Sequence, residues 1–133
     1  MARILVAEDD RAVQSFVARA LAHKGHTVTT SDDGVQALEQ LSVNSFELLI
    51  TDIVMPEMDG IALALKVTKD YPELPILLMT GYSAERQRAH NLDELICRVI
   101  TKPFTLKQIC AVADEVMIAK RVPGPEQNPA LTV

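Results

Sequence analysis

Five times along this chain a short apolar run passes into a helical pattern, and that alternation limits the possible folds more than any other feature. Arg3–Ala7 reads as a first strand. Residues 11–23 follow with Val13, Phe16, Val17, Ala20 and Leu21 at the i, i+3, i+4, i+7, i+8 spacing of an amphipathic helix, and Gly25 supplies a stop. Thr27–Ser31 is a β-branched second strand, and Asp33 is positioned to cap a helix over 34–41. The third strand, 46–51, is apolar at Leu48, Leu49 and Ile50 and so has no solvent face, as in a central parallel strand.

Met55-Pro56-Glu57-Met58-Asp59-Gly60 forms a turn before a third helix over 61–69, and Pro72 and Pro75 lead into a fourth strand at 76–79. Residues 84–91 are polar nearly all round, so a helix there needs outside support. A fifth strand covers 99–101. Thr105 and Gln108 have capping-box spacing ahead of Leu106, Ile109, Val112, Ala113, Val116 and Met117, which predicts a last helix to about residue 120. Strands alternating with helices imply right-handed crossovers and helices on both sheet faces. The expected fold is α/β, a doubly wound (βα)5 flavodoxin-like sandwich whose five parallel strands run in the order 2-1-3-4-5. The expected folded unit is 1–121. Residues 122–133, with Pro123, Gly124, Pro125 and Pro129, carry too many breakers to fold and are expected to be a disordered tail.

The polar residues that close the apolar runs carry the chemistry. Glu8, Asp9 and Asp10 follow the first strand, Asp52 the third, Thr80 the fourth and Lys102 the fifth. A parallel sheet brings these strand ends to one crevice, with the first and third adjacent at the switch point. Asp52 is the candidate nucleophile, because a strand-end carboxylate can attack phosphorus and form an aspartyl phosphate. A dianionic group among Glu8, Asp9 and Asp52 requires a counter-charge, and Mg2+, a hard cation held by carboxylates and phosphate oxygens, suits best. Lys102 precedes Pro103, which holds it extended; its ammonium can pair with Asp52 and then with phosphoryl oxygens. Thr80 offers a hydroxyl to the same oxygens, and Gly81 leaves the approach open. Asp10 also fits a plain helix-terminal role.

Composition narrows the remaining classes. The 133 residues are 48% hydrophobic but only 4% aromatic, so the core must be aliphatic; the formal net charge is −5. No Lys/Arg run stands out, which argues against nucleic acid or an anionic membrane as direct partner. No stretch reaches the ~18–20 apolar residues that cross a bilayer. With no charged leader and no CxxC spacing between Cys97 and Cys110, the chain is expected to be cytoplasmic with reduced thiols. His23, His26 and His90 lack zinc spacing and read as surface residues. Met55, Met58 and Met79 read as packing.

The blocks Val6-Ala7-Glu8-Asp9-Asp10, Asp52-Ile53-Val54-Met55-Pro56-Glu57-Met58-Asp59-Gly60, Met79-Thr80-Gly81 and Lys102-Pro103-Phe104 resemble the receiver domain of two-component response regulators over residues 3 to about 120. The resemblance implies that Asp9, Asp52 and the Val54 carbonyl contact Mg2+, with Glu8 completing the acidic pair. It also implies that Asp52 accepts the phosphoryl group, that Thr80 and Lys102 read it, and that the Lys102–Pro103 bond is cis. Val99 stands where such domains usually carry a switch aromatic, and 91–95 departs from the usual Gly-Ala pair. Val54 and Tyr82 occupy the positions nearest incoming water, and neither can orient it, so a long-lived phosphoryl group is expected.

Residues 60–66, 78–92 and 102–106 further resemble one subgroup of single-domain receivers of alphaproteobacteria. That resemblance implies a cytosolic adaptor for the ClpXP protease, contacting the ClpX unfoldase while unphosphorylated and switched off by a histidine kinase or histidine phosphotransferase. Arg86, Arg88 and His90 are the candidate partner surface. A phosphorelay carrier with no output partner is the alternative. An independent phosphohydrolase is disfavoured, because its usual general acid two residues after the nucleophile is replaced by Val54; no enzyme activity is expected beyond the chain's own phosphorylation and dephosphorylation.

Overall fold

A computed structural model describes residues 1–81 and 98–121. The expectations for 84–91, Tyr82, Arg86, Arg88, His90, Cys97 and the tail 122–133 lie outside the described residues. Five strands, β1 (Arg3–Ala7), β2 (Thr27–Ser31), β3 (Leu48–Asp52), β4 (Ile76–Thr80) and β5 (Arg98–Thr101), form one parallel sheet in the order β2-β1-β3-β4-β5. The described helices are α1 (Arg11–His23), α2 (Gly34–Val43), α3 (Gly60–Asp70) and α4 (Leu106–Arg121).

Period-2 alternation divides the core in two. Ile4, Val6, Leu48, Ile50, Leu77 and Met79 turn to one face, against Val17, Leu21, Ile109 and Ala113 of α1 and α4. Leu5, Ala7, Leu49, Ile76 and Leu78 turn to the other, against Ala37 and Leu41 of α2 and Leu63 and Val67 of α3. Both β3 and β4 are buried along their whole length, as their unbroken apolar runs require.

Helix starts follow the capping chemistry. Asp10 accepts from the backbone N–H groups of Ala12 and Val13, Asp33 from Gln36 and Asp59 from Ala62. Thr105 and Gln108 form the full reciprocal box: each side chain bonds the other's backbone N–H, at 3.0 and 2.8 Å. Gly25 closes α1 at φ 93°, the left-handed region glycine occupies without penalty.

Two expectations need correction. The stripe of α1 runs through Gln14, Val17, Ala20 and Leu21, while Phe16 is 41% exposed and meets Phe104 at the rim, ring centroids 6.3 Å apart. A polar residue is tolerated inside because its amide finds acceptors there. The third strand begins at Leu48 rather than at 46 and continues through Asp52. Phe46 is instead drawn to the Arg3 guanidinium, 5.8 Å from its ring.

Candidate functional site

Glu8 follows the last residue of β1, Asp52 ends β3, Thr80 ends β4 and Lys102 follows β5, so one sheet edge gathers all four. The register aligns Ala7 with Thr51, Asp52 with Met79, and Thr80 with Thr101. Glu8, Asp9 and Asp52 each offer a carboxylate oxygen, all within 4.8 Å of one another. Glu8 is fully buried, Asp52 is 8% exposed, and Asp9 faces solvent. Asp10, next in line, turns away to cap α1 and does not join them. An all-oxygen donor set on negative groups fits a hard divalent cation far better than a soft one.

Lys102 completes the cluster. Its Nζ lies 3.0 Å from Glu8 Oε1 and 3.0 Å from Asp52 Oδ1. Burial alone would push the Lys102 ammonium down, but its bonds to Asp52 and then Glu8 outweigh this and raise it above the usual lysine value. Glu8 is pushed up to about 7, chiefly by burial, with Lys102 and the Asp10 N–H pulling it back. Thr80 is fully buried and its Oγ1 has no partner among the described residues, although a buried hydroxyl ordinarily finds one. The Lys102 N–H donates to the Thr80 carbonyl at 2.7 Å, and the Lys102–Pro103 bond is cis.

The connection from β3 to α3 fixes Asp52 by close packing. Gly60 donates its N–H to the Ile53 carbonyl at 2.8 Å, and a Cβ on Gly60 would overlap the Asp52 carbonyl oxygen. Asp59 caps α3 just before it, and Glu57 takes φ 68° to make the turn. The Asp-Gly pair thus seats the loop directly against the strand end. Val54, in the same connection, is 53% exposed.

Other sequence candidates fall elsewhere. Met79 packs on one face of the sheet, Met55 and Met58 on the other, so they do not converge. His23 is exposed, but His26 is not the surface residue expected: its Nδ1 accepts from the Ala2 N–H at 3.0 Å, and its Nε2 faces Asp114 at 3.7 Å. Cys110 is a buried free thiol whose pKa burial raises. Val99 is partly buried against the α2–α3 core and paired with Leu78 in the sheet. A cavity of about 710 Å³ lies away from Glu8, Asp9 and Asp52, among Leu41, Phe46, Tyr71, Leu74 and Met117. Gln14, on which the sequence reading placed no role, donates to the Glu8 carbonyl at 2.9 Å. Its three- and seven-residue spacing from Val17 and Leu21 was the available signal.

Comparison with known proteins gives a consistent result. The model of the response regulator receiver domain matches residues 4–114. The response regulator receiver protein CpdR of Brucella abortus is 41% identical over 119 residues, covering 90% of this chain and 99% of that protein. Response regulator MprA of Mycobacterium ulcerans is 36% identical over 109 residues, 82% of this chain but only 47% of MprA. Among solved structures, the receiver domain of NtrX from Brucella abortus superposes with TM-score 0.80 at 27% identity, covering 87% of this chain and 98% of that one.

Proposed function

The chain belongs to the response regulator receiver domain family, and on that premise we propose that Asp52 accepts a phosphoryl group from a histidine kinase or histidine phosphotransferase in a Mg2+-dependent step. The observation that carries this reading is the convergence of Glu8, Asp9 and Asp52 within 4.8 Å, with Lys102 bridging two of them. An Asp52 oxygen attacks phosphorus and forms the O–P bond as the donor's N–P bond breaks; the departing imidazole nitrogen keeps the electron pair and is then protonated by solvent. Asp9, Asp52 and the Val54 carbonyl, together with Glu8, would hold Mg2+, and the ion would supply the positive charge that phosphoryl oxygens need to approach this acidic pocket.

Each residue then has a distinct task. Lys102 exchanges its Asp52 partner for a phosphoryl oxygen. The Thr80 hydroxyl, buried and unpartnered among the described residues, gains an acceptor, which gives the phosphorylated state a bond that the other lacks. Val54 and Tyr82 leave incoming water unoriented, so the phosphoryl group is long-lived. At the switch position Val99 has no ring to reorient, and the signal passes instead through the Thr80 and Lys102 ends of β4 and β5.

The finer reading is an adaptor for the ClpXP protease that binds the ClpX unfoldase while unphosphorylated, through Arg86, Arg88 and His90. In support stand the sequence blocks 60–66, 78–92 and 102–106 and the likeness to CpdR along nearly its full length. The folded unit of this reading is 1–121, in the cytoplasm. Its test is retention of the chain on immobilised ClpX before and after phosphotransfer from a histidine phosphotransferase. Retention of the unphosphorylated form alone supports the adaptor; equal absence of retention in both states, with phosphoryl transfer intact, supports a phosphorelay carrier instead.

A further inference from the structure

Gln14 lies on the buried face of α1 and is 7% exposed. Its Nε2 is 2.9 Å from the Glu8 carbonyl, 3.1 Å from the Ser31 carbonyl and 3.0 Å from Asp32 Oδ1. Two amide protons are thus shared among three acceptors. Asp32 is itself fixed: its N–H donates to Gln36 Oε1 at 3.0 Å, and its Oδ2 is 3.4 Å from Arg11.

This cross-link is not needed to hold the strands. β1 and β2 already pair from Arg3–Thr27 through Ala7–Ser31, and the Glu8 N–H extends the ladder to the Ser31 carbonyl at 3.0 Å. The Gln14 bond falls one step later, where the chain leaves the sheet. The Glu8 carbonyl shares a rigid peptide plane with the nitrogen and Cα of Asp9, so holding that oxygen holds the base from which the Asp9 side chain starts. Asp9 needs such help. It is exposed, and no hydrogen bond to its carboxylate occurs among the described residues.

We propose that Gln14 is a positioning residue for the metal ligands: its amide locks the Glu8–Asp9 peptide and aims the Asp9 carboxylate at the point shared with Glu8 and Asp52. The inference rests on the reading of that cluster as a Mg2+ site.

The test is calorimetric titration of the full chain with MgCl2, alongside thermal unfolding in EDTA, for the wild type, Gln14→Met and Gln14→Glu. Gln14→Met keeps length but removes the donors; the expected result is a Kd for Mg2+ raised about tenfold, the lower range seen when a ligand's supporting hydrogen bond is lost. Gln14→Glu sets a carboxylate against two carbonyl oxygens and Asp32, and a larger loss is expected. A structural tie alone would lower Tm and leave the Kd of the folded protein unchanged. Kd within about twofold of wild type in the variants that fold overturns the proposal, whatever their Tm; Gln14→Glu decides if Gln14→Met does not fold. A wild type that binds no Mg2+ overturns the metal reading and the proposal with it, whereas normal wild-type binding with unaffected variants overturns the positioning role only.

Discussion

The Lys102 ammonium stands 3.0 Å from Oδ1 of Asp52, and the same nitrogen holds Glu8 Oε1 at 3.0 Å. One cation therefore bridges two carboxylates and offsets only one of their two negative charges. The pairing raises Lys102 against the opposing effect of burial, while Glu8, more deeply buried, is driven up to about 7. The site thus combines an ion pair on the proposed nucleophile with a carboxyl group that exchanges its proton near neutrality.

A stability profile with a definite sign follows from Glu8. Its folded-state pKa, about 7, is above the unfolded value of 4.5, so the folded chain holds this proton more tightly. The corresponding stabilisation is complete below the unfolded value and is lost as pH rises through about 7. In EDTA, Tm is expected to fall between about pH 5 and about pH 8, and Mg2+ is expected to recover much of the loss at the higher pH by binding the native state. Differential scanning calorimetry checks this; a Tm that climbs over that interval contradicts it.

Removal of the bridging cation has a pH-dependent cost. Lys102→Met leaves Glu8 and Asp52 facing each other without compensation at about pH 8. The expected destabilisation is roughly 1–3 kcal/mol, at the low end because Lys102 is partly solvated. Near pH 5 Glu8 carries a proton, and the loss is expected to shrink to less than half. Urea unfolding at the two pH values measures the difference, and equal losses argue against Glu8 as the titrating partner.

Two glycines at the same sheet edge are expected to respond oppositely. A Cβ on Gly60 meets the backbone of Asp52, which cannot swing aside as a side chain would; a Cβ on Gly81 comes no closer than 3.8 Å to Lys102. Gly60→Ala is expected to cost about 3 kcal/mol and to displace Asp52, weakening Mg2+ binding as well. Gly81→Ala should stay within about 0.5 kcal/mol of wild type. Chemical denaturation and calorimetric titration of both variants read the contrast.

Much of this geometry is legible in the residues themselves. The alternation of strand and helix patterns identifies the sheet and its order, and strand-end placement predicts that Glu8, Asp9, Asp52, Thr80 and Lys102 meet. Capping at Asp33 and at Thr105 with Gln108 is local chemistry, settled within four residues, so it is read correctly. Tertiary context decides the rest. Phe16 fits the helical stripe but sits at the rim because Phe104 is there, and Gln14 goes inside because Glu8, Ser31 and Asp32 provide acceptors. Phe46 has the composition of a strand residue, yet the strand begins at Leu48, and the Arg3 guanidinium lies over the Phe46 ring. Such choices depend on residues distant in sequence, which a local pattern does not contain.

Asp52 as phosphoryl acceptor is tested most directly by intact-mass spectrometry of the chain incubated with a small acyl phosphate and MgCl2. The expected result is addition of one phosphoryl group to the wild type, lost on brief treatment with hydroxylamine as an acyl phosphate must be, and absent in EDTA. Asp52→Asn, close in size and incapable of nucleophilic attack, should gain none while keeping its fold. Incorporation into Asp52→Asn at the wild-type rate, or a label mapping to another residue, contradicts the assignment.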